Sequence, residues 1–414
     1  MVKKEMMGNR RLPLEGIRVA DFSWWAAGPV ATRTMAHFGA QVIKVESEVH
    51  IDGLRVAQPR TSDVPGINVG AWHNNLNSGK LAITLNMDHP EARSIAERLI
   101  RVSDIVIDNF TPRVMERWGL TYKELVKIKP DLIVVNMPMQ GLSGPHRDYL
   151  GFGLTIMALS GHDGLSGFHH RPPLGTGVNF SDYSCNPYHA LVAILGALRY
   201  RNRTGKGQHI ELSQVESTIS VLDSAILEYT VNGRIPPRVG NRLANAAPHG
   251  CYRCRGDDRW CVIAVFSDEE WQAFCNVIGN PPWTKEERSD TLVDRKQNED
   301  DLDRLIEEWT ITRTREEMVM LMQQAGVAAG VVNDAEDLLI RDPQLKARDH
   351  YVYLDHPEAG RTAYDGITIK LSATPGEVRW PARTLGQDNE FVFKEIIGLS
   401  EEEINQYIVD GVIA

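Results

Sequence analysis

The stretch IRVADFSWWAAGPVATRTMAHFGAQVIKVE runs from Ile17 to Glu46. Ile17 to Phe22 is a short apolar run and reads as a strand. Gly28-Pro29 then opens a helix through Phe38, with Pro in the first turn, where its missing N–H costs nothing. Gly39 ends the helix and Gln41 to Glu46 forms a second strand. Strand, helix, strand in this spacing is a βαβ unit, which implies a parallel sheet with right-handed crossovers.

Moving outward, the pattern repeats. Ala82–Leu85, Asp104–Ile107, Leu132–Asn136 and Gln208–Leu212 read as strands, with helices over 90–102 and 112–118 between them. The fold class expected is α/β, with a large Rossmann-like parallel-sheet domain. Ligands of such sheets collect at the carboxyl ends of the strands, so Ser23–Gly28, Asp108–Pro112 and Asn136–Pro145 are the segments to watch.

A helix is expected over Val215–Tyr229. From Gly233 to Pro248 the chain is rich in Gly, Pro, Asn and Arg, as in a linker or binding loop. A hairpin over Gly250–Val265, turning at Gly256-Asp257-Asp258, is followed by helical patterns at 268–278, 300–309 and 315–325, which together make a smaller α+β domain. The expected division is 1–228 for the large domain, 229–330 for the small one, and 331–414 for a C-terminal segment returning to the large domain. Residues 1–12 read as a loose tail.

Lys plus Arg number 45 and Asp plus Glu 55, a net charge of −10, which disfavours a nucleic-acid binder. An anionic ligand would need a local positive group. The longest apolar run, Ala190–Leu198, is too short to cross a bilayer, and the N-terminus has no apolar signal region. A cytoplasmic protein is expected. Five cysteines are an odd count for a disulfide framework. Cys251 and Cys254 have C-x-x-C spacing without a second pair, so core cysteines are expected and no metal site.

Asp182 stands in GTGVNFSDYSCNPYHALVAILGAL, at the mouth of an apolar helix. One reading is a helix N-cap, for which Ser184 and Asn186 are rivals. The other is a nucleophile towards an activated acyl group. Adjacent Trp24 and Trp25, then Ala26, lie after the first strand, where they could wall an apolar pocket or pack in the core. Glu46 ends the second strand, where a dinucleotide ribose would need a carboxylate, but the first turn lacks G-x-G-x-x-G.

Taken together, the chain resembles the family III CoA-transferases. The resemblance is carried by Leu14-Glu15-Gly16-Ile17-Arg18-Val19, Asp21-Phe22, Ala27-Gly28-Pro29, Gly39 to Glu46, Asp108-Asn109-Phe110, Gly119-Leu120, Gly141 with Gly144-Pro145, Arg203-Thr204-Gly205-Lys206-Gly207-Gln208, Ala325-Gly326-Val327, Asp342-Pro343-Gln344-Leu345 and Leu385-Gly386-Gln387. It covers nearly the whole chain. It implies that Asp182 is the nucleophile, passing through an aspartyl mixed anhydride and an aspartyl-CoA thioester. It further implies that Leu85, Asn109, Phe110, Arg117 and Trp118 contact CoA, and that the chains form an interlocked dimer, either of identical chains or with a related subunit. CoA thioester is then a substrate, with no permanently bound cofactor. Trp24, Trp25, Ala26, Phe152 and Gly153 would face the substrate. Backbone groups near Gly240 and at a His249-Gly250 turn would cover the oxyanion.

The family also contains α-methylacyl-CoA racemases, which carry Gly-His-Asp before Ala-Leu-Ser-Gly. Aligned on Ala158-Leu159-Ser160-Gly161, that place here is Gly151-Phe152-Gly153, and a phenyl ring moves no proton. Racemisation is therefore disfavoured. Formyl-CoA transferase has Gln before Ala-Gly-Pro, whereas this chain has Ala26, preceded by two tryptophans. A larger, partly apolar acceptor than oxalate is expected, in the direction of arylsuccinates such as benzylsuccinate, with succinyl-CoA as donor. The alternatives are a racemase or intramolecular CoA-transferase of the same fold, or a non-catalytic CoA-binding subunit in which Asp182 is only a cap.

Overall fold

The computed structural model describes residues 12–60 and 65–414; the expected tail over residues 1–11 lies outside them. The first of two compact units comprises residues up to Asp163, Gly175–Ile235 and Gln344–Ala414. Its sheet has six strands: β1 (Arg18–Asp21), β2 (Gln41–Glu46), β3 (Leu81–Thr84), β4 (Ile105–Asp108), β5 (Ile133–Asn136) and β6 (Gln208–Glu211). They lie in the order β3-β2-β1-β4-β5-β6 and every pairing is parallel.

The central strands are apolar on both faces, as a sheet covered on both sides requires. In β4, Val106 packs with one core and Ile105 and Ile107 with the other; β5 divides Val134 from Ile133 and Val135 in the same way. The period of two in side-chain direction produces this division. The Ala92–Arg101 helix covers one face through Ile95, Ala96 and Leu99. The helices Ala27–His37 and Asn186–Thr204 cover the other through Ala31, Met35, Ala190 and Ile194. The C-terminal segment closes the β3 edge. Ala82 and Thr84 donate their N–H groups to Asp388 Oδ2 and Asn389 Oδ1 at 2.9 and 2.8 Å, which leaves less free edge for unwanted pairing.

The second unit comprises Gly164–Leu174 and Pro236–Pro343. It is an antiparallel sheet of β7 (His249–Arg253), β8 (Trp260–Ala264) and β9 (Ala328–Val331). Cys254, Cys261 and Cys275 join its core with Trp271 and Phe274, and all five cysteines are free.

Two local expectations are corrected. The region read as one helix over Val215–Tyr229 is two, Gln214–Ile219 and Ser224–Asn232, separated at Asp223, whose φ of 41° no continuous helix accepts. His249-Gly250 is not a turn; both residues pair with β8, opposite Ala264 and Ile263.

Candidate active site

β1 pairs with β2 on one side and β4 on the other, so the chain leaves β1 and β4 in opposite directions. That divergence opens a crevice at the carboxyl ends of the strands. A cavity of about 550 Å³ lies there. Its lining includes Trp24, Trp25 and Ala26 after β1, Leu85 after β3, and Asn109, Phe110, Arg117 and Trp118 after β4. Phe152, Gly153 and Asp182 come from the β5–β6 connection. Eleven of the expected site residues thus line one cavity. His249 and Gly250 do not; they sit on β7 in the second unit.

The loop after β1 is held from two sides. Asn109 accepts from the Trp24 N–H at 2.9 Å and donates to the Trp24 carbonyl at 2.8 Å, bridging the crevice. Asp52 accepts from the Trp25 N–H at 3.2 Å. Trp25 has φ 59°, a conformation costing about 1–3 kcal/mol for a bulky residue unless its surroundings enforce it. The reason Gly53 has no side chain is now visible: a Cβ there would lie 2.4 Å from the Trp25 ring.

Beneath this loop lies a buried charge network. Lys44 bonds Asp52 at 3.0 Å and the Ser23 carbonyl at 2.8 Å. Asp21 accepts from Lys80 at 3.1 Å, Thr32 Oγ1 at 2.6 Å and the Ser23 N–H at 3.0 Å. Burial alone would raise the Asp21 carboxyl, but Lys80 and Lys44 hold it below its ordinary value. Burial likewise lowers Lys80 to about 8, against the pull of Asp21. No expectation of this network comes from the sequence, although Asp21 and Lys44 lie in segments that carry the family resemblance.

Two aromatic groups line the cavity. Trp24, Phe110 and Trp118 form an edge-to-face series with centroids 5.4 and 5.5 Å apart. Trp25 and Phe152 form a separate pair at 4.9 Å. Arg117 is exposed beside the cavity, 3.5 Å from Asp88, which also bonds His50 at 2.9 Å.

Three carboxylates line the cavity. Glu46 is gripped by Arg55 through both oxygens, at 2.8 and 2.7 Å; Arg55 holds it well below its ordinary value against burial, so it is not free to receive a ribose. Asp88 has Arg117 and His50. Asp182 has no cationic partner among the described residues. Burial pushes its carboxyl up to about 6, with the nearby Asn186 amide pulling the other way. Asp182 is not a cap: it is the third residue of the Phe180–Ser184 helix, whose cap position is Asn179, and the next helix is preceded by Cys185. Glu46, Asp52 and His73 form a buried cluster with metal-like spacing, yet Arg55 and Lys44 already supply its positive charge.

The family III CoA-transferase model matches residues 14–389. The chain belongs to CoA-transferase family III. It is 33% identical over 392 residues to the succinyl-CoA–D-citramalate CoA-transferase of Chloroflexus aurantiacus, covering 95% of this chain and 96% of that one. It is 30% identical over 394 residues to the succinate–glutarate CoA-transferase of Agrobacterium fabrum, covering 94% and 97%. Among solved structures, a CAIB/BAIF family protein from Brucella suis superposes with a TM-score of 0.85 at 29% identity, over 93% of this chain and all of that one. As a family III member the chain is a CoA-transferase, and acyl-CoA thioesters are its substrates. No helix among the described residues is long and apolar enough to cross a membrane.

Proposed function

We propose that the chain transfers CoA from succinyl-CoA to a larger, partly apolar carboxylic acid through covalent intermediates on Asp182. The observation that carries this reading is that Asp182 alone, among the cavity carboxylates, is buried without a neutralising cation. A desolvated carboxylate with no counter-ion is a stronger nucleophile than a paired one.

A carboxylate oxygen of Asp182 attacks the thioester carbonyl, the C–S bond breaks, and CoA leaves as thiolate. The thiolate then attacks the aspartyl carbonyl of the mixed anhydride, the aspartyl C–O bond breaks, and the donor acid departs carrying the bridging oxygen that came from Asp182. The resulting aspartyl-CoA thioester is attacked by the acceptor carboxylate, and the two steps run in reverse. The thioester energy is conserved throughout.

Trp24, Phe110, Trp118 and Leu85 form the wall for CoA, with Arg117 offered to a phosphate through its planar donors. Trp25, Ala26, Phe152 and Gly153 surround the acyl group, and the Trp25–Phe152 pair suits an aromatic or branched acceptor such as an arylsuccinate. The names of the relatives from Chloroflexus aurantiacus and Agrobacterium fabrum support a succinyl donor. A partner chain, identical or related, is part of the proposal. The Ser224–Asn232 helix has no buried residue, and its Leu227, Tyr229 and Val231 are exposed apolar groups suited to being covered.

The test is an acceptor screen. Protein, succinyl-CoA and single acids are incubated, and new acyl-CoA is read by mass spectrometry. Benzylsuccinate and related apolar acids are expected to accept CoA faster than oxalate. Preference for oxalate would contradict the acceptor assignment.

A further inference from the structure

Three connections meet at the mouth of the cavity. His50 lies after β2, Asp88 after β3, and Arg117 near the end of the Pro112–Trp118 helix that follows β4. Among the described residues that line the cavity, Arg117 and His50 are the only basic ones. One carboxylate meets both. Asp88 Oδ2 is 2.9 Å from His50 Nε2, and Oδ1 is 3.5 Å from Arg117 Nη2. The connection that carries Asp88 is anchored to the C-terminal segment. Asn86 donates its N–H to the Val412 carbonyl at 2.8 Å and its Nδ2 to the Gly411 carbonyl at 3.3 Å, while its Oδ1 accepts from the Asp88 N–H at 3.3 Å. This anchorage sets the carboxylate at the mouth. The three side chains are half-exposed or more, so their contacts are weak enough to exchange for others.

The chain has a net charge of −10, so its overall field does not draw an anion, and a bound phosphate depends on local cations. CoA presents a pyrophosphate and a ribose phosphate. Arg117 is always charged, and its planar donors suit either group. A phosphate that reaches Arg117 meets Asp88 as a like charge and as a rival for the same donors.

We propose that Asp88 is a specificity-determining residue: its carboxylate competes with the phosphates of CoA for Arg117 and His50, and weakens the hold on CoA that these two would otherwise give. The proposal rests on the reading of Arg117 as a phosphate contact and is independent of the role of Asp182. A CoA-transferase releases one acyl-CoA for each that it takes up, and a competitor within reach of Arg117 shortens the residence of the product.

The experiment measures dissociation constants by calorimetry for CoA, dephospho-CoA and pantetheine with the wild type, Asp88→Asn, Arg117→Ala and the double variant. Asp88→Asn is expected to bind CoA about threefold to tenfold more tightly at low salt, with the gain shrinking as salt rises. Pantetheine, which has no phosphate, is expected to show no gain. A gain kept with dephospho-CoA assigns the competition to the pyrophosphate, and a gain lost with it assigns the competition to the ribose phosphate. Arg117→Ala is expected to weaken CoA binding about tenfold, and Asp88→Asn is expected to gain less in that background. CoA binding unchanged or weaker in Asp88→Asn, an equal gain with pantetheine, or an undiminished gain in the double variant would overturn the role of Asp88 alone, provided that Arg117→Ala still weakens binding. Wild-type affinity for CoA in Arg117→Ala would overturn the phosphate contact and this proposal together.

Discussion

The carboxylate of Asp182 occupies the space that a side chain at Gly153 would need: a Cβ at Gly153 would stand 2.5 Å from Asp182 Oδ2 and 2.6 Å from Asn179 Cβ. Glycine is required at this position for close approach, which lets the carboxylate reach the cavity wall. Gly153→Ala is expected to lower CoA-transfer turnover about a hundredfold, the scale of a misplacement of about 1 Å at a reacting group. Steady-state rates at saturating succinyl-CoA check this, with circular dichroism to show the helix retained.

The buried carboxylate also makes a prediction about stability. Its folded-state value, about 6, lies above the ordinary 3.8, so folding favours the protonated form. Below pH 4 the group is neutral in both states and costs nothing. As pH rises from about 4 to about 6 the penalty grows, and it is complete above that. Asp182→Asn removes it and is expected to be more stable than wild type at pH 7.5 by up to about 3 kcal/mol, at about 1.4 kcal/mol per unit. The difference should vanish near pH 4. Urea unfolding at the two pH values measures it. The same ionisation predicts that wild-type kcat/KM falls about tenfold per unit below pH 6.

Asn109 clamps both polar groups of the Trp24 backbone. Asn109→Ala removes two hydrogen bonds worth about 1 kcal/mol each and frees the first member of the aromatic series. KM for acyl-CoA is expected to rise more than kcat falls. Initial-rate kinetics with varied acyl-CoA would separate the two effects.

Glu46 and Arg117 both line the cavity and should respond in opposite ways. Glu46→Ala leaves Arg55 buried without its counter-charge and is expected to destabilise the fold by about 3–5 kcal/mol. Arg117 is two-thirds exposed; Arg117→Ala is expected to leave unfolding midpoints unchanged while raising KM for acyl-CoA and weakening its salt dependence. Thermal melts and KM measured at two ionic strengths distinguish these outcomes.

The sheet was legible because its central strands are short apolar runs buried on both faces, while the half-exposed β6 is marked by the glycines before it. Ala27-Gly28-Pro29 marked a helix start, and Gly39 its end. The aromatic lining was legible because Trp24 and Trp25 follow a strand at its ligand-binding end. The break at Asp223 was not, since apolar periodicity runs on through Val221 and Leu222 and no glycine marks the positive φ. Nor was the network of Asp21, Lys44, Asp52 and Lys80, because partners up to 59 residues apart meet only through strand order.

The central claim is that the Asp182 carboxyl group is acylated on oxygen to a mixed anhydride and then becomes a CoA thioester at its carbon during turnover. Protein incubated with succinyl-CoA and quenched with hydroxylamine should yield a hydroxamate on the peptide containing Asp182, at a level near one per chain and absent from Asp182→Ala. Hydroxamate on another residue, or CoA transfer by Asp182→Ala at the wild-type rate, would contradict it.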